Sequence, residues 1–80
     1  MNSRRAEPQY VLCLSNEGYR ASLVVRRVYR RLPDAGAARR GLFRVIDESG
    51  EDYLFPQNLF APIALPRAVG RKLAVATQIG

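Results

Sequence analysis

The most informative part of this chain is residues 41–60, which read Gly-Leu-Phe-Arg-Val-Ile-Asp-Glu-Ser-Gly-Glu-Asp-Tyr-Leu-Phe-Pro-Gln-Asn-Leu-Phe. An apolar run, residues 42–46, enters a polar turn at residues 47–50, and a second apolar run, residues 53–55, stops at Pro56. Val, Ile, Phe and Tyr favour the half-buried surface of a sheet, whereas Asp, Ser and Gly favour turns. The pattern predicts a β-hairpin.

The segment that follows the hairpin predicts a turn and a last strand. Pro56 presets the first backbone angle of a short 3₁₀ turn over residues 56–60. Residues 61–63 leave room for one short strand, and Pro62 marks it as an edge strand or a bent one.

The C-terminal part predicts a helix over residues 65–76. Pro66 suits the first helical position, and apolar residues recur at helical spacing, namely Leu65, Val69, Leu73 and Ala76. We expect residues 77–80 to fray.

The stretch before the hairpin is harder to interpret. In residues 21–32, three valines and a tyrosine favour a strand, but strict alternation leaves neither face apolar. A β-bulge, or burial of both faces near one end, would reconcile the strand with this pattern, and a helix is the alternative. Pro33 ends either element. In the loop that follows, Asp34 can cap a single helical turn that stops at Gly41.

The N-terminal part predicts an arm, a strand and a turn. Residues 1–8 are polar and form a flexible arm, residues 10–14 are an apolar run of strand length, and residues 15–18 have turn chemistry. Four or five short strands with tight turns, followed by a helix, predict a small β-barrel over residues 9–64.

Length and composition limit the possibilities. Eighty residues make one domain, and a hydrophobic share of 48% is ordinary for a globular protein. No apolar run approaches the roughly 20 residues of a membrane helix. Arg4 and Arg5 near the N-terminus are not followed by an apolar segment of signal-peptide length. The single cysteine, Cys13, has no partner for an internal disulfide. We therefore expect a cytoplasmic protein without a membrane partner, and a monomer.

One segment resembles SH3 domains. Residues 54–60, Leu-Phe-Pro-Gln-Asn-Leu-Phe, are similar to the Leu-Phe-Pro-x-Asn-Tyr-Val segment that ends the fourth SH3 strand, forms a 3₁₀ turn and enters the fifth. By this resemblance, Pro56 and Asn58 match residues of the SH3 peptide groove, and Leu59 replaces the groove tyrosine. The family's Ala-Leu-Tyr-Asp-Tyr start is absent and the chain has no tryptophan. The resemblance implies an SH3-like barrel and argues against ordinary PxxP binding.

A longer pattern resembles a family of small, uncharacterised bacterial proteins with an SH3-like fold. It comprises Ser-Asn-Glu-Gly-Tyr-Arg-Ala-Ser-Leu at residues 15–23, Val28-Tyr with Leu-Pro-Asp at residues 32–34, and the run from Arg44 to Pro56. The likeness spans about residues 9–70. It implies a mainly β fold, an SH3-like barrel of about five strands with a short C-terminal helix, and it brings no activity or site residues.

The residues that usually carry catalysis are missing. The chain has no histidine, and Cys13 lies in an apolar run without a histidine to activate it. One cysteine and no histidine cannot supply four zinc ligands. The acidic residues 47, 48, 51 and 52 could hold a hard cation, but their spacing matches no EF-hand loop and favours a solvated turn. We expect a non-enzymatic protein without a cofactor.

The charge of the chain suggests one candidate partner, nucleic acid. Thirteen Lys and Arg face seven acids, for a net charge of +6. A basic protein can bind a polyanion, although arginines spread along the whole chain also arise from genome composition. Strand twist could gather five arginines into one stripe; the candidate nucleic-acid-binding residues are Arg26, Arg30, Arg39, Arg40 and Arg44.

The leading hypothesis is a small protein-interaction module with an unknown protein partner. Its contacts would come from the loop before the second strand, the acidic hairpin turn and the turn after Pro56. The candidate protein-binding residues are Tyr19, Asp47, Glu48, Tyr53, Pro56, Asn58 and Leu59. An exposed aromatic or apolar patch near Pro56 would support it, and burial of these side chains would not.

Overall fold

Residues 9–66 form a mainly β fold in the computed structural model, which describes this part of the chain. The strands are β1 (Gln9–Cys13), β2 (Val28–Leu32), β3 (Leu42–Ile46), β4 (Asp52–Pro56) and β5 (Phe60–Ile63). A short helix, α1 (Ala35–Arg39), lies between β2 and β3, and a 3₁₀ turn (Gln57–Leu59) lies between β4 and β5. The predicted mainly β class is confirmed.

The five strands form a single antiparallel sheet in the order β4-β3-β2-β1-β5. The edge strands β4 and β5 do not pair with each other, so the described sheet is open. The predicted arm, residues 1–8, and the predicted tail, residues 77–80, lie outside the described residues. So does the predicted helix, residues 65–76, apart from Leu65 and Pro66, which belong to no regular element.

The central hairpin is confirmed. Strands β3 and β4 pair from Leu42 opposite Pro56 to Ile46 opposite Asp52. Burial alternates along β3: Phe43 and Val45 are buried on the core face, whereas Leu42, Arg44 and Ile46 are half-buried on the other face. The polar turn has Gly50 at φ 87°, which a glycine adopts without steric cost.

The strand predicted over residues 21–32 is too long. Strand β2 begins only at Val28, and the preceding residues belong to a loop between β1 and β2, residues 14–27, here called the β1–β2 loop. The helical alternative is also wrong for these residues. A bulge does join the loop to the strand: the Arg26 N–H donates to the Cys13 carbonyl at 2.7 Å, and the Cys13 N–H donates to the Arg27 carbonyl at 2.9 Å. Arg26 and Arg27 thus both lie opposite the single residue Cys13, which is the arrangement of a β-bulge.

Both capping predictions around α1 are confirmed. The Asp34 carboxylate accepts a hydrogen bond from the Ala37 N–H at 2.9 Å, and Gly41 has φ 75° just after the helix. The same carboxylate accepts from the Arg44 guanidinium at 2.8 Å. The hydrogen bond from the Ala37 N–H is the main cause that lowers the pKa of Asp34, and the hydrogen bond from Arg44 is the next.

The core lies on one face of the sheet and is closed by the β1–β2 loop. Cross-strand neighbours such as Val11 with Tyr29 and Phe43 with Phe55 bring the buried positions of adjacent strands together. Leu23 of the loop is fully buried against them. The buried cluster comprises Val11, Cys13, Leu23, Tyr29, Phe43, Val45, Phe55, Leu59 and Phe60.

Candidate protein-interaction surface

The β1–β2 loop carries most of the large apolar side chains that the described fold leaves in solvent. Leu14 is 54% exposed, Val24 41% and Val25 38%. Within residues 9–66 the one other large hydrophobic residue with such exposure is Tyr53, on β4, at 49%. Leu14, Val24 and Val25 belong to one loop, and exposed apolar side chains are candidates for a contact surface.

The first part of this loop is attached to the 3₁₀ turn. The Leu14 and Ser15 N–H groups both donate to the Leu59 carbonyl, at 2.8 and 3.3 Å. The Asn16 side chain donates to the Leu23 carbonyl at 2.9 Å, which joins the two arms of the loop. The exposed Leu14 side chain therefore lies on a held backbone beside the 3₁₀ turn.

The middle of the loop contributes to the core rather than to the surface. The Tyr19 ring packs edge-to-face on Phe55, with ring centroids 5.3 Å apart. Its N–H donates to the Asn16 carbonyl at 2.7 Å, and its own carbonyl accepts from Leu23 at 3.0 Å. Tyr19, a candidate contact residue, thus has a structural role, and only part of its ring remains accessible.

The last part of the loop is a four-residue turn, residues 24–27, here called the Val24 turn. The Arg27 N–H donates to the Val24 carbonyl at 3.2 Å, and Arg26 has φ 71° at the third position. A positive φ at this position is the feature of a type II turn, which glycine normally supplies. Arg26 is the one non-glycine residue with positive φ among residues 9–66.

A buried tyrosine connects this turn to the hairpin. The Tyr29 hydroxyl accepts a hydrogen bond from the Val24 N–H at 2.8 Å and donates a short one to the Glu48 carboxylate. The same carboxylate accepts from the Arg27 guanidinium, with both oxygens 3.0 Å from one nitrogen. Burial is the main cause that raises the pKa of the Tyr29 hydroxyl, and its hydrogen bond to Glu48 is the next.

The Glu48 backbone adds to this connection, because its N–H donates to the Ser22 carbonyl at 3.0 Å. Glu48 is therefore occupied within the protein by Ser22, Arg27 and Tyr29. Although it is a candidate contact residue, its carboxylate orients the β1–β2 loop.

The other acidic residues of the hairpin have local roles. Asp47 is buried, and its carboxylate accepts from the Ser49 N–H at 2.8 Å and from the Ser49 hydroxyl. Glu51 accepts from the Tyr53 hydroxyl at 2.9 Å. Asp47 is thus not accessible to a partner, whereas the exposed Tyr53 ring is.

The 3₁₀ turn exposes some of its candidate residues and buries another. Asn58 is exposed and Pro56 half-buried, but Leu59 is 8% exposed and belongs to the core. The Gln57 side chain donates to the Ala38 carbonyl at 3.4 Å and to the Leu42 carbonyl at 3.3 Å. Of the candidate residues in this turn, Asn58 is accessible, and the side chain of Leu59 contributes nothing to the surface.

The candidate arginines are divided among the Val24 turn, β2, the end of α1 and β3. Arg26 precedes the strand, Arg30 lies within it opposite Tyr10, and Arg39 and Arg40 follow it at the end of α1. Arg44, on β3, has ion pairs with Asp34 at 2.8 Å and Asp52 at 3.0 Å. Its charge is therefore compensated. Among residues 9–66, the guanidinium groups of the other four have no carboxylate partner.

Three residues of this surface were not among the predicted site residues. Leu14 was assigned to the first strand, and Val24 and Val25 were assigned to a strand or, alternatively, a helix. The sequence signal at Val24 and Val25 is the broken alternation of Val24-Val25-Arg26-Arg27, which a regular strand does not accommodate. Such a break marks residues whose role depends on the turn they form.

Residues 9–66 lack both a metal-binding cluster and a membrane-spanning helix. These residues contain no group of three or more cysteine and carboxylate side chains that could hold a metal ion. The helices in this range also lack the length and apolar character needed to cross a membrane.

No protein-family model, curated protein or solved structure matches this chain.

Proposed function

We propose that this protein is a small, non-enzymatic protein-interaction module whose contact surface is the β1–β2 loop. The observation that carries this proposal is the exposure of Leu14, Val24 and Val25 on one loop whose backbone is held by hydrogen bonds. A loop held in one conformation loses little entropy when it binds, so exposed side chains on it are effective contacts.

We further infer that the sheet is part of an SH3-like barrel. Support comes from the predicted succession of β4, a 3₁₀ turn at Gln57–Leu59 and β5, and from the position of β5 beside β1. The long β1–β2 loop contacts β4 through Tyr19 and the 3₁₀ turn through Leu14 and Ser15, and its Leu23 packs in the core. In such a small fold, loops rather than strands provide the contact surfaces.

The polar groups of the described site favour binding over catalysis. The carboxylates of Asp34, Asp47 and Glu48 are occupied by backbone or arginine donors. Burial raises the pKa of the Cys13 thiol, which disfavours the reactive thiolate. What remains available at residues 20–27 of the loop is apolar area and positive charge.

A comparison of immobilised variants tests the proposal. The wild-type chain, a triple variant with Leu14, Val24 and Val25 changed to serine, and Tyr53→Ser serve as baits in quantitative affinity purification from the source cells. Tyr53→Ser is the matched control, because it removes an exposed ring outside the loop. We expect one protein to be retained by the wild type and the control and lost from the triple variant.

The purified partner would then be titrated against each variant. A loss of about tenfold or more in affinity for the triple variant supports the loop as the contact surface. Retention of the same proteins by all three baits, or of none by the wild type, would contradict the proposal. Circular dichroism and thermal unfolding confirm that the triple variant is folded.

Nucleic-acid binding is a second candidate function, favoured by one observation. Arg26, Arg30, Arg39 and Arg40 are exposed and have no carboxylate partner within residues 9–66. Phosphate contacts release counterions, so this candidate predicts an affinity that falls steeply with salt.

Amide chemical-shift titration with single-stranded and duplex oligonucleotides tests this candidate. We expect salt-sensitive shifts near the four arginines if it holds, and weaker binding by the variant that combines Arg26→Ala with Arg30→Ala. Unchanged affinity of that variant would exclude the arginines of β2 and the Val24 turn as the phosphate contacts.

A further inference from the structure

The Val24 turn has a backbone that its sequence does not favour. Arg26 is the first residue of the bulge opposite Cys13, with φ 71°, and in this type of bulge that residue is normally glycine. A left-handed conformation is sterically unfavourable for a residue with a long side chain. Such an outlier persists only when its surroundings enforce it, and outliers of this kind concentrate at functional sites.

The surroundings of the turn enforce this conformation from both sides. The Arg26 N–H is bound by the Cys13 carbonyl at 2.7 Å, and the Val24 N–H by the Tyr29 hydroxyl at 2.8 Å. Arg27 is held by its ion pair with Glu48. The turn is thus a rigid projection, and its two valines remain 41% and 38% exposed.

The charge at the turn is positive and available. Glu48, the acid that contacts the turn, is already paired with Arg27. The Arg26 guanidinium is exposed and without a carboxylate partner among the described residues, as is that of Arg20 in the same loop. Glu17 is the loop's one acid, and it lies at the opposite end, beside Ser15.

We propose that the Val24 turn is the anchor of the contact surface. It places Val24 and Val25 against an apolar side chain of a partner protein and Arg26 against a carboxylate next to it. The partner segment is therefore acidic with an apolar residue between its carboxylates. This inference rests on the proposed function and specifies where the contact is centred and what chemistry the partner supplies. Apolar burial provides affinity, and the arginine provides selectivity for charge.

Three matched peptides test this chemistry on the isotope-labelled full chain. The first has two leucines flanked by aspartates, the second has lysine in place of each aspartate, and the third has serine in place of each leucine. We expect the first peptide to shift the amide signals of residues 24–27 most strongly. Equal shifts with the lysine peptide, or shifts only outside these residues, would overturn the inference.

Variants at the turn separate charge from backbone conformation. Arg26→Asn removes the charge and tolerates positive φ, Arg26→Lys keeps the charge, and Val25→Ser removes apolar area. We expect Arg26→Asn to weaken binding of the acidic peptide about three- to fivefold, the range of an exposed ion pair, and Arg26→Lys to retain most of it. Equal binding by Arg26→Asn and the wild type would contradict the role of the charge.

The outcomes distinguish this inference from the proposed function. If the protein partner of the bait experiment binds, and its binding tolerates both Val25→Ser and Arg26→Asn, the module stands and the anchor is wrong. If the acidic peptide shifts residues 24–27 but no protein partner is retained, the anchor chemistry stands without the module. Anionic phospholipid vesicles serve as a further probe, and binding to them that exceeds binding to the acidic peptide would overturn the choice of a protein partner.

Discussion

The two loops at one end of the sheet are built in different ways. The turn between β3 and β4 is formed by its own residues, because Asp47 accepts from Ser49 and the Gly50 N–H donates to the Asp47 carbonyl at 3.0 Å. The β1–β2 loop depends on distant residues. Leu23 packs in the core, Tyr19 packs on Phe55, and other loop residues contact residues of the hairpin and the 3₁₀ turn.

Because of this difference, the short turn contributes to stability, whereas the long loop also holds exposed apolar side chains in place. In the short turn, Asp47 and Ser49 close the turn itself, and Glu48 is occupied by Ser22, Arg27 and Tyr29. The long loop gives up Leu23 and Tyr19 to the core and in return holds Leu14, Val24 and Val25 in solvent. A conformation maintained by distant contacts can display residues that contribute nothing to the fold.

The largest expected effect comes from removing the loop's buried side chain. Leu23→Ala leaves a cavity under the loop, and we expect the free energy of unfolding to fall by about 2–4 kcal/mol. Urea unfolding followed by circular dichroism measures this. The matched control is Val25→Ala. Val25 follows Leu23 by two residues and is exposed, so this change should alter stability by about 0.5 kcal/mol or less. Equal losses for both would mean that the loop is not held by Leu23.

A smaller loss is expected from Tyr29→Phe. This change removes the hydroxyl that accepts from Val24 and donates to Glu48, so stability should fall by about 1–2 kcal/mol. Tyr53→Phe is the control, because its hydroxyl contacts only Glu51 on the exposed side of the hairpin and should have no measurable effect. Amide exchange should accelerate at residues 22–27 in the Tyr29 variant. Unchanged amide exchange at these residues would show that the Tyr29 hydroxyl does not stabilise the loop.

An effect of opposite sign is expected at the bulge. Arg26→Gly relieves the left-handed conformation and should raise the free energy of unfolding by about 1 kcal/mol, after the entropy of glycine in the unfolded chain is deducted. Gly50→Ala introduces the same conflict in the short turn and should lower stability by about 1 kcal/mol. A loss of stability in Arg26→Gly would show that the arginine side chain itself supports the fold.

The smallest effect is a loss of stability at alkaline pH. Because the pKa of Tyr29 is raised in the folded protein, the unfolded chain ionises first, at about pH 10, and binds fewer protons there. The contribution of Tyr29 is therefore complete below about pH 10 and is lost progressively above it. Denaturant midpoints between neutral pH and pH 11 should fall less steeply in Tyr29→Phe than in the wild type. Identical slopes would contradict a buried, hydrogen-bonded phenol.

Elements with a local cause were predictable. The hairpin, its turn, the Asp34 cap and the 3₁₀ turn after Pro56 depend on residues within a few positions of one another. The same holds for β1 and β5, whose apolar runs are short and bounded. Alternation and turn chemistry act over the same distance as these elements, so the pattern indicates them directly.

Candidate site residues were predictable only where exposure follows from position. Asn58 and Tyr53 are accessible, as expected for a turn and a hairpin end, but Asp47 and Leu59 are buried. Asp47 was expected to serve a solvated turn. Its carboxylate does accept from the Ser49 N–H and hydroxyl, but the residue is buried. Burial of a polar residue depends on whether donors surround it, and periodicity does not report that.

The mainly β class, the hairpin, the helix caps and the 3₁₀ turn follow from the sequence, because propensity and steric limits act between neighbours in the chain. The start of β2, the left-handed Arg26 and the contacts of Glu48 with Arg27 and Tyr29 depend on the tertiary fold. Glu48 is 21 positions from Arg27 and 19 from Tyr29, and the bulge joins Arg26 to Cys13. Such contacts form only after the sheet has brought the two loops to the same end, so no local pattern encodes them.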